Sequence, residues 1–251
     1  MVGEDTGDEV PPPLGDAFVQ LRERLFGDSA AGLDPRLVVR LAARAMPGPA
    51  QAALTLLRAG RRPQTVAATG DLGEVVDALQ HEVREGPLLD PATDDSVTIV
   101  GDLAADERWP AFADRLVAET GVRSMLVVRL MLSGEDQAAM SMYSRERGAF
   151  GDLELGVASM FAPFASLSLQ QWIHERAVLN FEAALSSSRQ IGTAMGIVMA
   201  RNLVTSDEAF ELLRQASLHL NRKLRDIAAE VEETGEIPSA GSSPTARENA
   251  G

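Results

Sequence analysis

Six basic side chains lie within a short stretch near the C-terminus, and they are the residues best suited to chemistry in this chain. Arginine forks two hydrogen bonds onto a phosphate and stacks on nucleic-acid bases, whereas lysine supplies a point charge. Such a group indicates either a surface for structured RNA loops or a solvated polar face, and residue types alone do not separate the two. The six are Arg189, Arg201, Arg214, Arg222, Lys223 and Arg225.

The residue types needed for most other site chemistry are missing or scattered. The chain has no cysteine, which excludes disulfides, thiolate zinc sites, iron–sulfur clusters and cysteine nucleophiles. Its three histidines, His81, His174 and His219, lie far apart. No Ser–His–Asp pattern, glycine-rich phosphate loop or pair of carboxylates stands out. We therefore expect a protein that holds no metal or cofactor and is not an enzyme.

The overall charge limits the partners further. A net charge of −14 argues against a protein that binds nucleic acid or an anionic membrane through its overall electrostatic field, although a local basic surface remains possible. The uncharged stretch Leu155–Ile173 contains Pro163, serines and glutamines, so it is too weakly apolar for a membrane span. The acidic, proline-rich N-terminus lacks the pattern of a signal peptide. We expect a cytoplasmic protein.

The first 150 residues predict an α+β domain with an antiparallel sheet flanked by helices. Helices are predicted over 14–26 and 34–46, over a segment beginning at Asp71 with Glu74 completing a capping box, and over 109–119. Strands are predicted over 50–57, 64–68, 96–100, 122–132 and 137–144, with two tight hairpins. Residues 1–13 and 239–251 have the composition of disordered tails.

A long helical pattern runs from Asp152 to Met199 almost without interruption. Residues spaced by four and three predict a short coiled-coil seam, which favours a homodimer joined through the helix 165–186. The alternative is a terminal helix that packs on its own sheet. The predicted seam consists of Ala165, Leu169, Trp172, Arg176, Leu179 and Ala183.

Three amphipathic helices follow within residues 187–238 and predict a small all-α bundle. Gly192, Gly196 and Ala200 align on the first helix, where small side chains let another backbone approach closely. Thr205 and Glu208 predict a capping box for the second helix, and Gly235 predicts the end of the third. The expected inner residues of the second and third helices are Phe210, Leu213, Ala216, Leu220, Leu224, Ile227, Ala228 and Val231.

The segment IGTAMGIVMARNLVTSDEAFELLRQASLHLNRKLRDIAAEVEETGEIP closely resembles the ANTAR family of transcription-antitermination output domains. The preceding segments DALQHEVREGPLLDP, DLAADERWPAFADRLVAETGVRSMLVVRLML and MSMYSRERGAFGDLELGVASMFAPFA resemble a GAF domain. Together they are similar to GAF–ANTAR regulators. Residues 14–169 are then the sensor domain, 165–186 the linker helix and 187–238 the ANTAR three-helix bundle.

The resemblance implies a regulator whose bundle binds paired RNA stem-loops and so prevents formation of a transcription terminator. Cations would position phosphates, while short polar side chains could contact unpaired bases. Two departures are the Met195 position, where many relatives have lysine, and Leu88, where many GAF relatives have cysteine. The expected contacts are Arg189, Thr193, Arg201, Ser217, Asn221, Arg222, Lys223 and Arg225.

Other interpretations of the same residues remain open. Arg222 and Arg225 could merely pair with nearby acids, and Asn221 could merely cap a helix. The bundle could instead act on DNA or on protein partners, although acids on the third helix suit the major groove poorly. The GAF resemblance also implies control of dimerisation or binding of an unknown small ligand. A pocket for such a ligand could be lined by Leu54, Trp109, Phe112, Leu126, Met140 and Met142. The alternative is that these six residues are ordinary core residues.

Overall fold

The computed structural model describes residues 12–26, 32–48, 50–90, 96–134 and 136–239, so most of both predicted tails lies outside the described residues. Contacts divide the chain into two compact units, Met1–His174 and Glu175–Gly251. No helix in the described ranges is long and apolar enough to cross a membrane.

The first unit is built on a five-stranded antiparallel sheet with the strand order β2-β1-β5-β4-β3. Both predicted hairpins form, because β1 pairs with β2 and β4 pairs with β5. Ladder bonds satisfy the backbone groups of the central strands, which are buried on both sides. The strands are β1 Gln51–Leu57, β2 Gln64–Ala68, β3 Val97–Val100, β4 Ser124–Leu130 and β5 Gln137–Ser144.

Helices cover both faces of this sheet. One face packs against α1 (Pro12–Phe26), α2 (Pro35–Ala45) and the beginning of α5 (Asp152–Asn202), where Phe18 stacks on Phe161. The opposite face packs against α3 (Leu72–Val83) and α4 (Pro110–Thr120), with Phe112 and Leu116 fully buried. The predicted α+β architecture is confirmed.

Two helices of the first unit begin in different ways. Asp34 caps α2, because its side chain accepts a hydrogen bond from the backbone N–H of Arg36 and Pro35 opens the first turn. The capping box predicted for Asp71 and Glu74 is wrong. Asp71 has helical angles, φ −75° and ψ −15°, and makes no side-chain capping bond, because a residue already in the helical region does not aim its carboxylate at the first N–H groups.

The helix α5 is continuous from Asp152 to Asn202, so the predicted first helix of the bundle has no separate start. The predicted coiled-coil seam is not available along its whole length. Ala165 and Leu169 are fully buried against the sheet, and Trp172 packs on the same core. The first half of the seam therefore belongs to the core of the first unit, as the alternative interpretation expected.

The second unit is a bundle of the last part of α5 with α6 (Ser206–Leu220) and α7 (Leu224–Thr234). Its core consists of small and branched residues from all three helices: Ala194, Val198, Ala209, Leu213, Ile227, Ala228 and Val231. The Thr205–Glu208 capping box forms, and Gly235 ends α7 with φ +73°. Phe210 was expected to be buried, but it is 41% exposed because Ala209 and Leu213 occupy the inner face of α6.

Candidate functional site

The turn between α6 and α7 brings five of the predicted contact residues together. Asn221 ends α6 in the left-handed region, with φ 50° and ψ 42°, which asparagine tolerates better than most residues. The hydroxyl of Ser217 donates to the carbonyl oxygen of Arg222 at 2.6 Å, and the N–H of Arg222 donates to the carbonyl oxygen of Ser217 at 3.0 Å. Ser217 therefore fixes the shape of the turn, while the side chain of Asn221 stays exposed.

Arg222 is tied down within the bundle. Its Nη1 donates to Oε2 of Glu230 at 2.6 Å, and its Nη2 donates to the carbonyl oxygen of Asp226 at 3.4 Å. The Glu230 side chain is only 25% exposed, so this ion pair is partly shielded from water. Arg222 thus connects the turn to α7, as the alternative interpretation of an internal ion pair expected.

Arg225 is held more loosely. Its Nε lies 3.4 Å from Oδ1 of the adjacent Asp226, and both side chains are at least half exposed. An exposed pair of this kind contributes little to stability, because water competes for both charges. The guanidinium of Arg225 can therefore exchange its partner for a phosphate at small cost.

Lys223 occupies the N-cap position of α7, and its side chain is exposed. Within the described part of the bundle its ammonium forms no ion pair. A positive charge at a helix N-terminus is unfavourable, because it faces the positive end of the helix dipole. Stability of α7 therefore does not explain a lysine at this position.

Arg201 lies at the other end of α7. Its Nη1 donates to the carbonyl oxygen of Gly235 at 2.7 Å, and its Nη2 lies 3.3 Å from Oε1 of Glu236. The 11 residues of α7 place this contact roughly 16 Å from Lys223. The structure therefore does not bring Arg201 together with the residues of the turn.

Arg189 and Thr193 lie one turn apart on α5, and both are exposed. The Thr193 hydroxyl donates to the carbonyl oxygen of Arg189 at 3.2 Å, a bond within the helix. The aligned Gly192 and Gly196 were expected to let another backbone approach. A Cβ added at either position would meet no described atom within 4 Å, so no helix of this chain uses that line.

Two exposed side chains on α6 were not among the predicted contacts. Phe210 and Arg214 precede Ser217 and Asn221 at spacings of four, three and four residues, which places all four on one side of the helix. Arg214 forms a two-point ion pair with Glu211, at 2.8 and 2.7 Å, and this pair lowers the pKa of Glu211 to about 2. The helical spacing of these four residues could have identified this surface from the sequence, but Phe210 was expected in the core.

The six residues predicted to line a ligand pocket in the first unit do not surround one cavity. Leu54, Leu126, Met140 and Met142 belong to the core between the sheet and α1, α2 and α5. Trp109 and Phe112 belong to the core on the opposite face. All six are at most 3% exposed. A pocket lined by this set is therefore not formed, and the alternative interpretation as ordinary core matches their positions.

Comparison with known families assigns a domain family to each of these two units. A model of the GAF domain matches residues 36–170, and a model of the ANTAR domain matches residues 180–231. The chain belongs to the GAF family and carries a C-terminal ANTAR domain. The GAF match covers the five strands with α3, α4, nearly all of α2 and the beginning of α5, whereas α1 precedes it. All eight predicted contact residues fall inside the ANTAR match. The GAF–ANTAR architecture expected from the sequence is confirmed.

The solved structures that the chain resembles are remote in sequence. The phycoerythrobilin-bound GAF domain of a cyanobacterial phytochrome shares 17% identity at a TM-score of 0.44, over 65% of this chain and 96% of its own. The chromophore-binding domain of the bacteriophytochrome RpBphP3 from R. palustris shares 13% sequence identity at a TM-score of 0.43, and the match covers 66% of this chain and 62% of that domain's chain. The N-acylhomoserine lactone dependent LuxR family transcription factor CepR2 from Burkholderia cenocepacia shares 13% sequence identity at a TM-score of 0.42. That match covers 63% of this chain and 96% of the CepR2 chain. A search of curated proteins found no match.

Proposed function

We propose that the ANTAR domain binds RNA folded into paired stem-loops and thereby prevents formation of a transcription terminator. The observation that carries this proposal is the ANTAR match over residues 180–231, which includes the turn with exposed Asn221 and Lys223. Antitermination acts on a nascent transcript, so the proposed place of action is the cytoplasm. The GAF domain would sense a small ligand or control dimerisation, and the protein would act as a regulator rather than an enzyme.

The contact surface that we propose is narrower than the predicted set. Lys223 and the loosely held Arg225 would bind phosphates of a loop, and the amide of Asn221 would contact an unpaired base. Phe210, exposed on the same side of α6 as Asn221, offers an aromatic face on which a base can stack. Arg189 on α5 supplies a further cation without an ion pair among the described residues.

Arg201, Arg222 and Ser217 would support this surface without contacting RNA. Each donates a short hydrogen bond to a backbone carbonyl or a carboxylate of the bundle. Transferring either guanidinium to a phosphate would break such a bond, so part of the free energy gained from the phosphate contact would be lost within the bundle. We therefore assign these three residues to holding the turn and α7 in place.

We further propose that two copies of the chain associate through α5, which would present two bundles to two stem-loops. Every residue of α5 from His174 to Ser186 is exposed in the single chain. Within it Val178, Phe181 and Leu185 follow one another at three and four residues and are 43%, 65% and 52% exposed. Apolar side chains in this arrangement form one stripe along a helix, and packing against a second helix would remove them from water.

The test is binding of the full-length protein to an RNA carrying two tandem hexaloop hairpins. We expect specific binding that exceeds binding to duplex DNA of equal length, with an affinity that falls as salt increases, because phosphate contacts release counterions. The double variant Asn221→Gly with Lys223→Gln should lose most of the affinity, since glycine keeps the left-handed turn and glutamine keeps the length of the side chain.

The matched control removes one exposed arginine from the GAF domain, Arg44→Gln, which changes the net charge equally. It should bind the hairpins as the unaltered chain does. Equal affinity for duplex DNA and hairpin RNA, or full hairpin affinity in the double variant, would contradict RNA recognition through this turn. The first result would favour a DNA-binding regulator instead.

A further inference from the structure

A cleft at the edge of the GAF domain, between α3 and the strand β2, has an acidic lining. Its volume is about 310 Å³, enough for a small molecule. Three carboxylates line it, Glu74, Asp77 and Glu82, against one arginine, Arg62, and one imidazole, His81. The exposed Glu82 pairs with Arg115 at 2.9 Å, whereas Glu74 and Asp77 form no ion pair among the described residues.

Asp77 is a carboxylate in an unfavourable position. It is only 3% exposed, although a buried charge is costly unless fully paired. Its Oδ2 accepts hydrogen bonds from the hydroxyls of Thr55 at 2.8 Å and Thr65 at 2.5 Å. Its Oδ1 is buried and has no hydrogen-bond partner among the described residues. Two hydroxyl bonds to one oxygen leave half of the carboxylate unsatisfied.

Further polar groups lie in the layer between the sheet and α3. The hydroxyls of Ser141 and Tyr143, both on β5, are buried next to each other and reach no further hydrogen-bond partner in the described part of the chain. Burial raises the pKa of Tyr143, and the nearby charge of Asp77 raises it further. Buried polar atoms that no side chain reaches are completed from outside the chain, by ordered water or by a bound molecule.

We infer that this cleft binds a small organic cation, a primary amine or guanidinium, whose N–H groups donate to the carboxylate of Asp77, which lines the cleft. A cationic donor would neutralise that carboxylate in its buried setting. The excess of acid in the lining opposes an anionic ligand. A metal ion fits less well, because the described residues contain no cluster of three or more side chains able to hold one.

Several charged groups face the carboxylate and tune this site. Glu74 lies one helical turn before Asp77 on α3 and adds negative charge, while His81 lies one turn after it and Arg62 lies at the rim from the β1–β2 loop. Burial raises the pKa of Asp77 to about 6, and the Thr65 and Thr55 hydrogen bonds oppose that rise. The ligand should therefore bind more weakly below about pH 6, where Asp77 takes up a proton.

The experiment uses the full-length protein without RNA, with butylamine and agmatine as probes and butanol as the neutral analogue of the amine. Tyr143 is the only tyrosine in the chain, so ¹³C-labelled tyrosine gives one set of ring signals next to Asp77. Titration calorimetry measures affinity in parallel. We expect both amines to bind and to shift the Tyr143 signals, and we expect butanol to do neither.

The deciding variant is Asp77→Asn, whose amide oxygen can still accept from both threonines but whose NH₂ group replaces the free acceptor. It should weaken amine binding about tenfold or more, which corresponds to losing one charge-assisted hydrogen bond. Asp114→Asn removes an exposed carboxylate from α4 and should bind as the unaltered chain does. Undiminished binding in Asp77→Asn, equal binding of butanol, or unmoved Tyr143 signals at saturating amine would overturn the inference.

A sensory role for this cleft rests on the proposed function, but occupation of the cleft does not. Amine binding is measured without RNA, so it can succeed where hairpin binding fails, and the reverse also holds. If both are present, saturating butylamine should change the hairpin affinity of the unaltered chain and leave that of Asp77→Asn unchanged.

Discussion

Nη1 of Arg201 lies 2.7 Å from the carbonyl oxygen of Gly235, so a side chain at the end of α5 satisfies an oxygen at the end of α7. The last carbonyl groups of a helix have no partner within the helix, and a cation there also faces the negative end of the helix dipole. Gly235 is in the left-handed region, and an added Cβ would lie 2.6 Å from the same Nη1. This contact fixes how α7 ends.

Replacing Arg201 with glutamine should therefore lower the free energy of unfolding of the ANTAR bundle by about 1 kcal/mol. Urea unfolding followed by circular dichroism measures the change. Arg189→Gln is the matched control, because Arg189 is on the same helix without an ion pair in the described ranges, and it should leave stability unchanged. Equal stability of both variants would contradict a capping role for Arg201.

Lys223 and Arg222 are neighbours in sequence but should respond oppositely to replacement by alanine. Lys223→Ala should leave the free energy of unfolding unchanged or slightly higher, because it removes a positive charge from the N-terminus of α7. Its affinity for the hairpins should fall, and the slope of log affinity against log salt concentration should decrease by about 0.7, because one phosphate contact is lost. Arg222→Ala should destabilise the bundle by about 0.5 to 1 kcal/mol, because Glu230 loses its partner.

The comparison requires both readouts, the unfolding transition and hairpin binding as a function of salt. If Arg222→Ala lowered the salt slope as much as Lys223→Ala without loss of stability, the assignment of Arg222 to the interior of the bundle would be wrong.

The stability of the GAF domain should decrease as pH rises through the range in which Asp77 ionises. The pKa of Asp77 is about 6 in the folded chain, against 3.8 ordinarily, so the folded state holds the proton more tightly. Its stabilising contribution is complete below about pH 3.8 and lost above about pH 6, a difference of about 3 kcal/mol.

Asp77→Asn should abolish this component and make the domain more stable than the unaltered chain at pH 8, while at pH 4 the two should agree closely. Thermal unfolding at several pH values measures both curves, and Asp114→Asn serves as the control for a general loss of charge. Parallel pH curves for Asp77→Asn and the unaltered chain would show that Asp77 is not the titrating group.

Introducing charge on the exposed stripe of α5 should prevent self-association. We expect Phe181→Glu with Leu185→Glu to shift the protein from dimer to monomer in sedimentation velocity, because glutamates facing each other across two helices would repel and remain hydrated. Helix content should not change, since both side chains are exposed. Val19→Glu, at an exposed apolar residue of α1, is the control and should stay dimeric.

Local sequence signals predicted those features that depend on neighbours along the chain. Short apolar runs and the turns beside them identified the five strands, and Thr205 with Glu208 identified the start of α6, because a capping box needs only side chains three residues apart. The analogous pair at Asp71 failed, since the chain enters α3 in a helical conformation and the carboxylate never faces the free N–H groups. Spacing alone does not report the backbone angles before a helix.

Features that depend on tertiary packing were harder to predict. The proposed pocket mixed Trp109 with Met140, because sequence shows which side of a strand or helix is apolar but not which face of the sheet a helix covers. Ala165 and Leu169 fit a coiled coil and a domain core equally well. Asp77 was not singled out at all, since its burial follows from contacts with Thr55 and Thr65 on other elements.

Lys223 is the single ε-amino group of the chain. An amine-selective acylating reagent can therefore modify one internal position, on the open side of the α6–α7 turn, and mass spectrometry would locate the adduct without ambiguity. Acylation erases the positive charge there without any change to the gene, and a fluorophore attached by the same chemistry reports from that turn. Protection of this amine by a bound partner would give a footprint read at one atom.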